Sequence, residues 1–186
     1  GGSREGARGR EGGDANRAGV HDASERADVH DGRQGDPLGV DHAVLKGQCH
    51  VGREPFAVLL GDDLIDEANP ILPTMIDALD RTGGSIVALM EVPAESIHLY
   101  GCAAVEDIGE DDVVRITGLA EKPAREDAPS NLAILGRYVL QPEAFDRLAS
   151  TAPGRGGAIQ LPAALPSLPP APHPARRSGA VLLRPR

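Results

Sequence analysis

The chain has 186 residues, is 40% hydrophobic but only 2% aromatic, and carries a net charge of −9. That length supports one domain with a real core, which Val, Leu, Ile and Ala must build. The charge leaves no basic stripe to neutralise a nucleic-acid polymer, although a nucleotide substrate needs only a few local cations.

Cys49 and Cys102 form no C-x-x-C motif, and the six His include no H-E-x-x-H pattern. No disulfide framework and no zinc site are therefore expected, which suits a reducing, cytoplasmic location. No apolar run approaches the roughly 20 residues of a membrane span, and from the Gly/Arg/Glu-rich start no secretory signal is expected. Neither a membrane nor a nucleic-acid polymer is expected as a partner.

In chain order, residues 1–40 hold Val20, Val29, Leu38 and Val40 as their only branched apolar residues. Such a segment buries too little to offset its ordering entropy, so a poorly structured leader is expected. Residues 41–160 read as an α/β body. "HAVLKGQCHVG" is consistent with the opening of a helix. "PFAVLLGDD" is a continuous apolar run of strand length, as in a strand buried on both faces. "PTMIDALDRTGG" places Met75, Ile76 and Leu79 on one helix face and ends on Gly83-Gly84 as a stop. "SIVALMEV" is a second buried strand. Strand, helix and strand within about thirty residues predict a βαβ unit with parallel strands. "CAAVED" and "DVVRITGLAEKP" predict a hairpin, "NLAILGRYVL" a buried strand, and "QPEAFDRLAS" a helix with Pro142 near its start. Residues 161–186 hold seven prolines from Pro162 to Pro185, which predict an extended tail. In it, "AVLLRP" offers at most a short edge strand.

Asp62 and Asp63 stand side by side where the first apolar run ends. Neighbouring carboxylates repel, so the pair needs water, a partner cation or a metal. A solvated turn is one reading. The other is a carboxylate at the end of a buried strand that holds a magnesium ion.

Four stretches, in order, carry a resemblance: "RQGDPLGVDHAVL", "EPFAVLLGDDLIDE", "ITGLAEKPAREDAPSNLAILGRYVL" and "GRGGAIQL". Together they resemble bacterial UTP–glucose-1-phosphate uridylyltransferases, over roughly residues 28–161. The resemblance implies an α/β, nucleotidyltransferase-like, Rossmann-type fold with a mixed, mostly parallel sheet flanked by helices. It implies nucleotidyl transfer from UTP to glucose 1-phosphate, giving UDP-glucose and pyrophosphate. Two highly anionic molecules meet in line in such a reaction, so catalysis is mainly positioning and charge neutralisation.

The resemblance also implies roles. Asp62 matches the metal-binding Asp, and Mg2+ is the expected cofactor. Asp63 is then expected to be a solvated turn residue. Glu121 is expected to accept from sugar hydroxyls, and Lys122 to contact the sugar phosphate, with Asp62 and Lys122 as the catalytic pair. Gly101 matches a glycine whose backbone lies close to the sugar. Gln34 matches a residue that reads the uracil edge, and Gly39 the first glycine of a G-L-G-H-A-V string under the nucleoside. Taken alone, Glu121-Lys122 is also an ordinary exposed pair before a turn, and Gly101 an ordinary strand entry.

The chain departs from the pattern in three places. Asp41 stands where the second glycine of that string belongs, adding bulk and negative charge. No match to the Gly-rich L-A-A-G-x-G-T-R loop occurs in residues 1–40. Ala158 and Pro162 replace an acid and a Thr in the last stretch. The expectation is an incomplete fold, lacking its first strand and Gly-rich loop, with little or no turnover alone. Two alternatives stay open: a non-catalytic sugar-nucleotide-binding fragment, and a glucose-1-phosphate thymidylyltransferase. A homo-oligomer is compatible with either.

Overall fold

The computed structural model describes residues 28–35, 39–65, 70–110, 112–150 and 179–183. Most of the expected leader, and the proline-rich stretch through residue 178, lie outside the described residues. Contacts divide the chain into a unit Gly1–Arg33 and a unit Gln34–Arg186. Residues 28–33 of the first carry no helix or strand. Everything below concerns the second.

That unit runs α1 (Val40–Val51), β1 (Phe56–Leu59), α2 (Ile71–Thr82), β2 (Ile86–Glu91), β3 (Gly101–Glu110), β4 (Val113–Glu121), β5 (Leu132–Leu140), α3 (Glu143–Ser150) and β6 (Gly179–Leu183). Short 3-10 turns at Ile97–Leu99 and Arg125–Asp127 flank the hairpin. The strands form one six-stranded sheet in the order β1-β5-β2-β6-β4-β3, with a further β5–β3 pairing.

The sheet is mixed, as expected, but its described ladders are chiefly antiparallel. Among the described residues only β2 and β6 pair in parallel. β5 enters antiparallel between β1 and β2. The two strands of the expected βαβ unit thus keep a common direction without touching. The predicted hairpin forms from β3 and β4, from Gly101↔Glu121 to Glu110↔Val113.

The alternation of side chains across strands splits the core into two layers. Val87 and Leu89 of β2 join Tyr138 and Leu140 of β5 on one face, covered by Val44 and Leu45 of α1 and Ala144 and Leu148 of α3. Ile86, Ala88 and Val139 face the other way, against Ile71, Met75, Ala78 and Leu79 of α2. Phe56 and Phe145 stack at 4.4 Å, tying α3 to β1; such a pair adds about 0.5–1.5 kcal/mol beyond its area burial.

Three expectations change. β1 is not buried on both faces: its residues alternate between half-buried and exposed, with Leu59 53% exposed. Among the described residues it pairs with β5 alone. On α2 the buried stripe is Ile71, Met75, Ala78 and Leu79, and Ile76 is 44% exposed. The helix ends as predicted, with Gly83 left-handed at φ 65° and its N–H donating to Leu79 O. Finally, Gly179–Leu183 is no edge strand. It lies between β2 and β4, from Ile86↔Gly179 to Met90↔Leu183 on one side and Val113↔Val181 on the other.

Candidate functional site

β1 stops at Leu59 because the next residues turn onto β5. Along β2, Val87 pairs with Tyr138 and Leu89 with Ile134. Two steps on one strand therefore match four on the other, a bulge that contains Leu135, Gly136 and Arg137. Leu60 N–H donates to Gly136 O at 2.8 Å, and Asp63 Oδ2 accepts from Gly136 N–H at 2.5 Å. Arg137 Nη1 donates to Leu60 O at 2.7 Å, and its Nη2 donates to Asp63 O. The two neighbouring acids are thereby separated. Asp63 is half-buried and bound to the β5 backbone, not the solvated turn residue expected. Asp62 is exposed, and its carboxylate has no hydrogen bond or ion pair among the described residues. Of the pair, only Asp63 has a carboxylate engaged by the protein among the described residues.

The second group comes from the entry of β3 and the exit of β4. Gly101 and Glu121 are direct partners in that ladder. A Cβ at Gly101 would stand 3.0 Å from Glu121 Oε2 and 3.4 Å from Ile134 Cδ1, so the glycine leaves the room that the carboxylate occupies. Lys122 follows at φ 43°, the one non-glycine residue with positive φ among those described. Its N–H donates to Tyr100 O at 3.1 Å, which anchors that conformation. Glu121 and Lys122 are both exposed. A left-handed non-glycine residue costs about 1–2 kcal/mol, and such strain concentrates at functional positions.

The third group lies at the start of α1. Gln34 and Gly39 come together: Gln34 Nε2 donates to Gly39 O at 2.7 Å and lies 3.0 Å from His42 Nδ1. The amide nitrogen is thus committed to the protein, and Oε1 is the group left to accept from a ligand. Gly39 precedes the helix at φ 97°, a conformation that a side chain disfavours. Asp41 is fully buried, so its carboxylate lies in the interior.

Tyr138, on β5, is buried. Burial raises its hydroxyl pKa well above the usual tyrosine range, and the charges of Asp41, Asp63 and Glu121 raise it further. Acids from α1, from the β1 turn and from β4 therefore all act on one phenol. Sequence reasoning passed over Tyr138, Arg137 and His42. A signal for Arg137 was present: it is the one cation in the apolar run "LAILGRYVL", where a charge needs partners.

A sequence profile described as nucleotidyl transferase matches residues 14–168. The chain belongs to this family. A UTP–glucose-1-phosphate uridylyltransferase of Streptococcus pneumoniae is 44% identical over 144 residues, covering 75% of this chain and 48% of that protein. One of Pseudomonas aeruginosa is 47% identical over 135 residues, covering 72% of this chain and 48% of that protein. The chain thus spans about half the length of these curated relatives. A crystal structure of UDP-glucose pyrophosphorylase complexed with UDP-glucose superposes with a TM-score of 0.82 at 35% identity, over 93% of this chain and 64% of that one.

Among the described residues no group of three or more His, Cys, Asp or Glu is arranged to hold a metal ion. That is compatible with magnesium, which takes one or two carboxylates and completes its shell with water and phosphate oxygens. No helix among the described residues is long and apolar enough to cross a membrane.

Proposed function

We propose that this nucleotidyl transferase chain serves uridylyl transfer from UTP to glucose 1-phosphate, forming UDP-glucose and pyrophosphate. The observation that carries the reading is the direct pairing of Gly101 with Glu121, with Lys122 held next to them in a strained backbone. Glu121 accepts from two sugar hydroxyls, and Gly101 lets the sugar approach the backbone. Lys122 neutralises the sugar phosphate as a point charge. Gln34 offers its Oε1 to the N3–H of uracil. Asp62 is the residue that would hold Mg2+, whose charge offsets that of the reacting phosphates when it is bound. A phosphate oxygen of the sugar attacks the α-phosphorus of UTP, the bond to the β-phosphate oxygen breaks, and pyrophosphate leaves. The work assigned to these side chains is alignment and charge compensation. A cytoplasmic site of action fits these metabolite substrates.

The test is titration calorimetry of the full chain with UDP-glucose and Mg2+, for wild type, Lys122→Ala and Lys46→Ala. Lys46 is exposed on α1, outside the groups described. Lys122→Ala is expected to weaken binding about tenfold, the scale of one hydrogen bond to a charged group, and Lys46→Ala to leave it unchanged. Equal losses would mean diffuse charge attraction and no site. A second arm measures dTDP-glucose, expected to bind more weakly; tighter binding would favour a thymidylyltransferase. Pyrophosphate release from UTP and glucose 1-phosphate then reports whether this chain turns over.

A further inference from the structure

The turn that carries Asp62 is held from both ends by one side chain. Arg137 Nη1 donates to Leu60 O at 2.7 Å and to Gly136 O at 3.1 Å, and its Nη2 reaches the carbonyl of Asp63. Its guanidinium therefore spans the turn, from the carbonyl two residues before Asp62 to the carbonyl one residue after. Asp63 closes the frame: its N–H approaches Leu60 O at 3.4 Å, and its Oδ2 takes the Gly136 N–H. Gly136 has to be glycine for this, since a Cβ there would lie 2.7 Å from Leu60 Cβ and would strike the Asp63 carboxylate. A planar fork with fixed donor directions makes such a bridge, whereas the single point charge of a lysine does not. In the turn Gly61–Asp63, Asp62 is the residue whose side chain the frame does not use.

We infer that Arg137 and Asp63 are positioning residues that hold the Gly61–Asp62 turn, so that Asp62 alone presents its carboxylate to a divalent cation. The inference rests on the metal role proposed for Asp62 and adds a division of labour between the two adjacent acids. Asp63 is a hydrogen-bond acceptor for the Gly136 amide, and its negative charge is dispensable. An unframed turn would sample many orientations of Asp62, and a cation would bind only the fraction that points correctly.

The experiment measures Mn2+ binding to the full chain by water-proton relaxation, with UDP-glucose present. The variants are Asp62→Asn, Asp63→Asn, Asp63→Ala and Arg137→Lys. Circular dichroism and urea midpoints show which variants remain folded. Asp62→Asn is expected to lose at least about tenfold in Mn2+ affinity. Asp63→Asn keeps an acceptor oxygen for the Gly136 amide and should bind within about twofold of wild type. Asp63→Ala and Arg137→Lys should each lose several-fold. If Asp63→Asn loses as much as Asp62→Asn, Asp63 is itself a ligand and the inference falls. If folded Arg137→Lys and Asp63→Ala bind like wild type, the frame positions nothing. If Asp62→Asn binds like wild type, the metal role of Asp62 fails first and the inference with it. Asp63→Asn stays informative even if Asp63→Ala or Arg137→Lys does not fold.

Discussion

Lys122 shows how much one residue can reveal about a site. At φ 43° it holds a conformation that a side chain resists, and the Tyr100 carbonyl keeps it there. Replacing it with glycine removes the strain, worth about 1–2 kcal/mol, but loosens the unfolded chain by about 0.4–1 kcal/mol. Lys122→Gly should therefore be more stable than Lys122→Ala by about 0.5–1 kcal/mol in urea unfolding. Both variants should lose UDP-glucose affinity. Equal stability for the two would mean that the backbone is unstrained. Tyr138 makes a second residue-scale prediction. Its folded pKa is raised, chiefly by burial. Its contribution is thus fully present below the unfolded tyrosine pKa of about 10 and is lost as pH rises above it. Above about pH 10 the unfolded state releases a proton that the folded state keeps, so stability should fall by at most about 1.4 kcal/mol per pH unit from this group. Tyr138→Phe should flatten that decline between about pH 10 and 11. Parallel curves for wild type and variant would refute the assignment.

Two glycines on neighbouring strands should behave differently, because different elements surround them. At Gly136, in the bulge of β5, an added Cβ meets Leu60 Cβ at 2.7 Å and Leu60 Cδ1 at 2.8 Å, both on the segment that β5 holds against itself. Gly136→Ala should cost about 1–3 kcal/mol, the range for overpacking, and speed amide exchange from Phe56 to Leu60. At Gly101, the entry of β3, the nearest atom is the end of the Glu121 side chain at 3.0 Å, which is exposed and can swing aside. Gly101→Ala should change stability by less than about 0.5 kcal/mol, because the nearest neighbour is the free end of a flexible side chain. It should nevertheless weaken UDP-glucose binding, because it displaces the carboxylate proposed to hold the sugar. Calorimetry beside urea unfolding separates the two outcomes. A stable Gly136→Ala would show that the bulge does not clamp β1.

For the molecule as a whole, the decisive element is the last one. β6 fills the gap between β2 and β4, parallel to one and antiparallel to the other. A chain ending at Ser178 would leave both strands with open edges, and open edges recruit other chains. Such a truncation should lose amide protection along Ile86–Met90 and Val113–Arg115 and should aggregate at concentrations where the full chain stays dispersed. Unchanged protection would mean that β6 is peripheral to the sheet.

The residues by themselves determined the kinds of element and named most of the candidate site. Apolar runs and helix-spaced stripes predicted β2, β5, α2 and the β3–β4 hairpin, because burial of a face imposes a period that local sequence records. Motif strings at a family's spacing pointed to Asp62, Gly101, Glu121, Lys122, Gln34 and Gly39. Tertiary structure alone decided the neighbours. That β5 separates β1 from β2, and that a strand from a proline-rich region lies centrally, depends on pairing between backbones far apart in sequence. A period marks which face is buried, but backbone N–H and C=O groups are alike at every residue and do not encode their partners. The same reason separates the two acids of the opening turn. Asp62 and Asp63 look equivalent in sequence, and the Gly136 amide and the Arg137 side chain, about seventy residues away along the chain, make one a framework residue and leave the other exposed.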